Sequence, residues 1–278
     1  MKKILLIIAL LITTFDLNAQ NIGDNTIINY DGYSITYTVT STDPAECGII
    51  KVTNPATETS ITFPSAVTIE GTEFIITSIK DWAASLCGNI TSIEFEEDTQ
   101  VRTLGQMCFA NCNNLTSLEI PSSVTTIGIG VFYHTNIESI EISKNVTSIG
   151  YNTPNINTTK IIVEEGNPFY DSRENCNAII ETLTNTLIVG CKNTIIPNSV
   201  TSIERNAFKA SGITSIDIPA SVNTINDYVF SSCYNLNSIT CHALYAPKTY
   251  ESTFSECPSD MTIYVPAAAV NDYQTAEN

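Results

Sequence analysis

Nine cysteines, two histidines and a recurring acid are the residues of this 278-residue chain that could do chemistry. The histidines, His134 and His242, lie far apart, and neither sits beside cysteines or aspartates at zinc-ligand spacing. Cys241 and His242 are adjacent on an extended run, which sends their side chains to opposite faces. Cys108 precedes an apolar Phe109 and is expected to face outward. No Gly-x-Ser-x-Gly elbow, His-Glu-x-x-His pair, phosphate-binding glycine loop or dinucleotide fingerprint occurs. These residues support no catalytic assignment, and neither a metal nor a cofactor is expected. Cys87, Cys112 and Cys233 fall eight residues after Ile79, Leu104 and Ile225, and Thr135 and Ser211 hold the same slot after Ile127 and Ile203. A slot shared by Cys, Thr and Ser wants a small side chain inside a turn. A Cys87–Cys112 disulfide stays open, because neighbouring rungs of a stacked repeat lie about 5 Å apart. Cys176 and Cys191 could also pair, at a separation the sequence does not set.

The slot implies a repeat, and the repeat positions everything else. Leu115–Phe132 reads LTSLEIPSSVTTIGIGVF, and the phrase returns from Ile137, Val200 and Ile213. Its internal apolar residue falls at Ile79, Leu104, Ile127 and Ile149, spaced 25, 23 and 22, and again at Ile203 and Ile225, spaced 22. A period in this range means stacked units that cannot bury their apolar faces alone. Each unit has two halves. The first is Leu/Ile-x-x-Ile/Leu-x-Ile/Phe, in which the apolar residues point inward and the x residues outward. The second is Val-Thr-x-Ile-Gly, followed five residues after the Ile by a core Phe (Phe109, Phe132, Phe208, Phe230). Ala84 occupies the Phe position of one copy, with Trp82 available to fill the space. Pro154 and Asn157 break the copy at Ile149.

The flanks differ in kind. Residues 1–19 join Lys2 and Lys3 to an apolar run at Ile4–Ile12 and a small residue at Ala19, the pattern of a secretory signal peptide. No later run is long enough for a transmembrane helix. Residues 20–75 read as an N-terminal β cap, led by the alternating Tyr33–Thr40, which covers the open end of the stack. Repeats occupy 76–154 and 197–241. Between them, 155–196 reads as a β-hairpin insertion bulging from the stack, with strands at Ala178–Ile180 and Thr186–Val189. Residues 242–278, broken by Pro247, Pro258 and Pro266, form a C-terminal cap.

The phrase, the VEEGNPFY stretch at Val163–Tyr170 and the ending MTIYVPAAAVNDY at Met261–Tyr273 together resemble the BspA-like leucine-rich repeat proteins, surface proteins of Bacteroides-type anaerobes and of some protist parasites. The resemblance covers most of the chain beyond residue 19. It implies a mainly β leucine-rich repeat solenoid, with short parallel strands on its concave face, β caps at both ends and a hairpin between repeats. It also implies attachment to host proteins or to other cells.

Charge narrows the partners. The formal net charge is −17, and removing 1–19 takes away two basic residues and one acid, leaving −18. A chain this acidic does not suit nucleic acid or an anionic membrane. The outward positions of the first half are Glu94, Thr116, Ser117, Glu119, Ser139, Glu141, Thr214, Ser215 and Asp217. They predict a stripe of carboxylates flanked by hydroxyls. Carboxylates on neighbouring rungs repel by about 0.8 kcal/mol in water, so the stripe reads either as a solvated surface or as a face for a basic partner. With no aromatic rings among these positions, a protein partner fits better than a sugar. The expected function is a secreted or cell-surface, non-catalytic, adhesin-like binding protein whose partner is an extracellular-matrix protein or another cell surface. The alternatives are a carbohydrate-binding component of a glycan-uptake system, for which Tyr133, Tyr228 and Tyr234 are the repeat-linked aromatics, and a structural spacer.

Overall fold

The structure, a computed structural model, describes residues 21–53, 58–151 and 157–276. Residues 1–19, expected from the sequence to be a signal peptide, and Pro154 lie outside the described residues. The strands of the N-terminal part are β1 (Asn25–Asn29), β2 (Ser34–Thr42), β3 (Ala45–Thr53), β4 (Ser60–Phe63), β5 (Ala66–Ile69) and β6 (Thr72–Ile79). The first run of repeats adds β7 (Ser92–Phe95), β8 (Thr103–Leu104), β9 (Ser117–Leu118), β10 (Thr126–Ile127), β11 (Ser139–Ile142), β12 (Ser148–Ile149) and β13 (Lys160–Val163). After these come β14 (Tyr170–Asp171), β15 (Ala178–Glu181), β16 (Thr186–Gly190), β17 (Ser202–Ile203), β18 (Ser215–Ile218), β19 (Thr224–Ile225), β20 (Ser238–Cys241) and β21 (Thr262–Tyr264). A single short α-helix, α1 (Val270–Thr275), follows among the described residues.

Both halves of the repeat make strands, where sequence reasoning gave strand character to the first half alone. The second halves form one parallel ladder, β6–β8–β10–β12, joined at its start to the antiparallel β1–β2–β3. It resumes as β16–β17–β19 and is extended by a bridge from Thr224 to Lys248. The first halves form the opposite side in three separate pieces, β4–β7–β9, β11–β13 and β18–β20–β21. β1–β3 cap the start: Ile35, Tyr37 and Val39 of β2 are buried, and β3 covers what would be the open edge of β6.

Corners tie the rungs together. In most corners two residues four apart adopt the left-handed conformation, among them Trp82 and Leu86, Met107 and Asn111, and Tyr228 and Ser232. That geometry turns amides toward the next rung. Trp82 N–H donates to the Gln106 carbonyl at 2.9 Å, Met107 N–H to Ile129 at 2.8 Å and Phe230 N–H to Thr253 at 2.9 Å. One repeat alone would leave these donors unpaired, which is the polar counterpart of its unburied apolar face. Left-handed backbone costs a side-chain-bearing residue about 1–2 kcal/mol. Leu86, at φ 63° and 75 % exposed, bears that cost with no burial in return. Leu86→Gly is therefore expected to raise the unfolding free energy by about 1 kcal/mol, net of the glycine's extra chain entropy; a denaturation midpoint unchanged or lowered in urea would contradict it.

Inside the corners runs a column of rings. Phe208 and Phe230 stack with centroids 5.6 Å apart, as do Phe230 and Phe254. Where Ala84 interrupts the column, Trp82 does not fill the gap, being 51 % exposed because its left-handed backbone turns it outward. Phe63 of the cap fills it instead, 6.3 Å from Phe109. The small-residue slot has a polar purpose as well. The thiols of Cys112, Cys233 and Cys257 donate to the Ala84, Phe208 and Phe230 carbonyls of the preceding rung, at 3.1, 3.0 and 3.1 Å. Thr135 uses its hydroxyl on the Phe132 carbonyl at 2.9 Å. A small side chain with a donor is what this position requires.

The hairpin does not bulge. β15 and β16 pair antiparallel, and β16 then pairs in parallel with β17, Leu187 opposite Ile203, so the hairpin takes the place of a rung. Its residues are apolar on both faces, which rules out a solvated position. Ile179 and Val189 pack with the first core, and Ala178, Ile180 and Leu187 pack with the second. Residues 242–276 add a further rung: Phe254 extends the ring column, β21 pairs with β20, and the Tyr273 hydroxyl donates to the Ala243 carbonyl at 3.2 Å.

Candidate functional site

Glu94, Thr116, Ser117, Glu119, Ser139, Glu141, Thr214, Ser215 and Asp217 are all exposed, while the apolar residues between them, Ile93, Ile140, Ile142, Ile216 and Ile218, are buried. Ordinary strand alternation produces this: every second residue is taken by the core and the others are left outside. Thr116 is partly occupied, because its hydroxyl donates to the Thr91 carbonyl at 3.3 Å, as the Thr91 hydroxyl does to Thr59 at 3.0 Å. The threonines thus stitch rungs together, and the carboxylates do not. Among the described residues three ion pairs form, Arg102–Glu46, Lys144–Glu164 and Arg173–Asp171, and none uses Glu94, Glu119, Glu141 or Asp217.

The acids do not make one unbroken stripe. Glu94 faces Thr62 in register on β4 and is followed on the next rung by Glu119. Glu141 pairs in register with Ile162, and Asp217 with Thr240. Asp217 therefore belongs to a separate block of strands.

Between Glu119 and Glu141 the ladder is open. β9 pairs with β7 and β11 with β13, but β9 and β11 do not pair with each other. Their rungs are tied at one end by Asn136 N–H to the Leu115 carbonyl at 2.8 Å, and at the other by Asn145 Nδ2 to the Ser122 carbonyl at 2.9 Å. Between the ties lies a slit of about 680 Å³, lined by Ser117, Glu119, Glu138, Ser139, Glu141 and Glu164. Its cause is one missing residue. Five residues separate Phe109 from Leu115 and Phe230 from Leu236, but four separate Phe132 from Ile137. In the longer corners Leu115 N–H donates to the Cys112 carbonyl at 2.9 Å, and Leu236 N–H to Cys233 at 3.0 Å. That turn delivers the strand in register, so that Thr116 N–H meets the Thr91 carbonyl at 3.1 Å. The short corner lacks this turn, and its first tie forms out of step. Phe208 and Ile213 are also separated by four residues, and the side of β18 that faces residues 194–196 is unpaired too. A groove of about 500 Å³ lies there, lined by Ile195, Ser215, Asp217 and His242. The spacing was readable in the sequence and was missed.

The thiols other than Cys257 are withdrawn from solvent. Cys108 is buried, contrary to the outward position expected, because the left-handed Met107 rotates the chain before Phe109. Burial pushes the thiols of Cys47 up to about 12 and of Cys176 to about 11. Cys87 and Cys112 meet across adjacent rungs as free thiols, Cys112 raised by its neighbour and by burial; Cys176 and Cys191 are free as well. Brief alkylation of the folded protein is therefore expected to label Cys257, the one half-exposed thiol, and denaturation to expose all nine. Recovery of a Cys87–Cys112 cross-linked peptide would contradict this. The tyrosines are not gathered into a platform: Tyr133 packs on His134 at 4.1 Å, Arg205 lies 5.0 Å over Tyr228, and Tyr234 donates to Glu256 at 2.8 Å. No helix among the described residues is long and apolar enough to cross a membrane.

Two ladders of short parallel strands around a single stack of repeats define a leucine-rich repeat solenoid. The chain belongs to the family described as BspA type leucine rich repeat region, which it matches in six copies over residues 59–159 and 179–274. Among solved structures, a leucine-rich repeat protein from Eubacterium ventriosum is 18% identical with a TM-score of 0.49, over 84% of this chain and 77% of that one. One from Bacteroides ovatus is 15% identical with a TM-score of 0.42, over 84% and 79%. A leucine rich cell surface protein from Faecalibacterium prausnitzii is 17% identical with a TM-score of 0.36, over 92% and 99%. Among curated proteins no relative is found.

Proposed function

We propose that the protein is a non-catalytic, adhesin-like binding module, secreted or held at the cell surface, that engages a protein partner through the outward positions of its first-half strands. One observation carries this reading: the carboxylates at 94, 119, 141 and 217 are exposed, recur by rung and join none of the ion pairs among the described residues. Like charges along a sheet are mildly unfavourable, so their recurrence has no folding benefit, and a basic partner supplies one. Membership of the BspA-type family supports the same reading. The test is biolayer interferometry against immobilised extracellular-matrix proteins and whole cells. Saturable binding that weakens as salt rises is expected, because exposed charge pairs are screened. Binding to none of them would favour the spacer role, and hits confined to a glycan array would favour carbohydrate recognition.

A further inference from the structure

We infer that the slit between β9 and β11 is the recognition point on this face, and that its occupant is an extended, lysine- or arginine-bearing segment of a partner protein. This rests on the protein-binding reading above and assigns it a place and a chemistry. The open ladder carries the inference. Unpaired strand edges present free N–H and C=O groups, and an extended peptide is the ligand that pairs with such groups. The ties at Leu115 and Ser122 bound an opening of six residues, 116–121, or about 20 Å of extended chain, which is the length of a short peptide rather than of a folded surface.

Charge selects the peptide. Glu119, Glu138 and Glu141 line the slit without a basic partner among the described residues, and Lys144 is engaged with Glu164 at 3.1 Å. An acidic or apolar segment would add repulsion or leave these carboxylates facing nothing. A basic segment answers the carboxylates with its side chains and the strand edges with its main chain. The second opening, beside β18, is a natural contrast. It arises from the same short corner, but Ile195 stands where an acid would continue the stripe and Asp217 is its one carboxylate. The smaller second opening, with one carboxylate against the several of the first, predicts that basic segments choose the first slit.

The probe is a fluorophore-labelled peptide of seven residues alternating Lys and Thr, acetylated and amidated, followed by anisotropy at low salt. Glu119→Lys with Glu141→Lys is expected to weaken binding by about tenfold or more. Glu73→Lys with Glu251→Lys, both exposed and off the first-half strands, changes the net charge equally and is expected to weaken it less than about threefold. Equal loss in both double variants would mean long-range attraction alone and would overturn the inference. A second variant leaves charge untouched: one Asn inserted between Thr135 and Asn136 restores the five-residue corner and closes the slit. If it folds, by circular dichroism, it is expected to lose binding to a similar extent; wild-type affinity would overturn the inference. The same variants separate the two levels of the account when applied to any partner found by interferometry. Loss in an Asp217→Lys variant alone would remove the slit and leave the binding face. Loss in none would remove both.

Discussion

Phe230→Ala is expected to lower the unfolding free energy by about 3–5 kcal/mol, the largest effect of any single substitution considered. Phe230 is fully buried and is stacked on both sides, against Phe208 and Phe254, each 5.6 Å away. Removing its ring forfeits the burial, leaves a cavity between two rungs and breaks two aromatic contacts of about 0.5–1.5 kcal/mol each. In a stack whose units touch only their neighbours, such a loss uncouples the last rungs from those before them. Ala84 shows how the chain manages without a ring at this position: Phe63 leans into the column from the cap. Beside Phe230 the two neighbouring rings, Phe208 and Phe254, already hold column positions of their own. Urea denaturation followed by circular dichroism measures the effect, and a loss below about 1 kcal/mol would mean that the column is not what couples the rungs.

Gly128→Ala is expected to cost about 1–3 kcal/mol, through contact rather than through backbone conformation. A Cβ on Gly128 would lie 2.6 Å from the Gln106 nitrogen and 2.7 Å from the Gly105 carbonyl carbon. Gly105 and Gly150 are crowded in the same way by the rungs that precede them. The Gly of the Val-Thr-x-Ile-Gly phrase lets backbones meet where the second-half ladder turns into its corner. Because the obstacle is backbone, it cannot move aside without opening Gly128 N–H to the Leu104 carbonyl, 2.7 Å apart. A thermal denaturation midpoint equal to that of the wild type would contradict this.

The repeat was legible because its apolar residues recur with the rungs. Leu115, Val124, Ile127 and Phe132 are all buried where the phrase places them, and the nine outward positions are all exposed. What stayed hidden was shorter than the period. The second-half strands β8, β10, β12, β17 and β19 are two residues long, too short for alternation to be visible. Trp82 and Cys108 were misplaced because left-handed residues in the corners redirect side chains, and most of those residues are not the glycines that would announce such a turn. Cys257 fills the same slot as Cys233, 24 residues on, but the prolines around it masked the phrase. The slit was written in the chain as four residues rather than five, a difference that spacing analysis of the apolar residues absorbed into a period of 22.

The solenoid divides into a ladder that holds the rungs and an interrupted ladder that displays its edges. Hydrogen exchange with mass spectrometry tests that division most directly. Peptides spanning 125–128 and 147–150, on the continuous ladder, are expected to be protected, and those spanning 116–120 and 137–142, on either side of the slit, to exchange markedly faster. Equal protection of the two sets would show β9 and β11 to be paired, and would contradict the account.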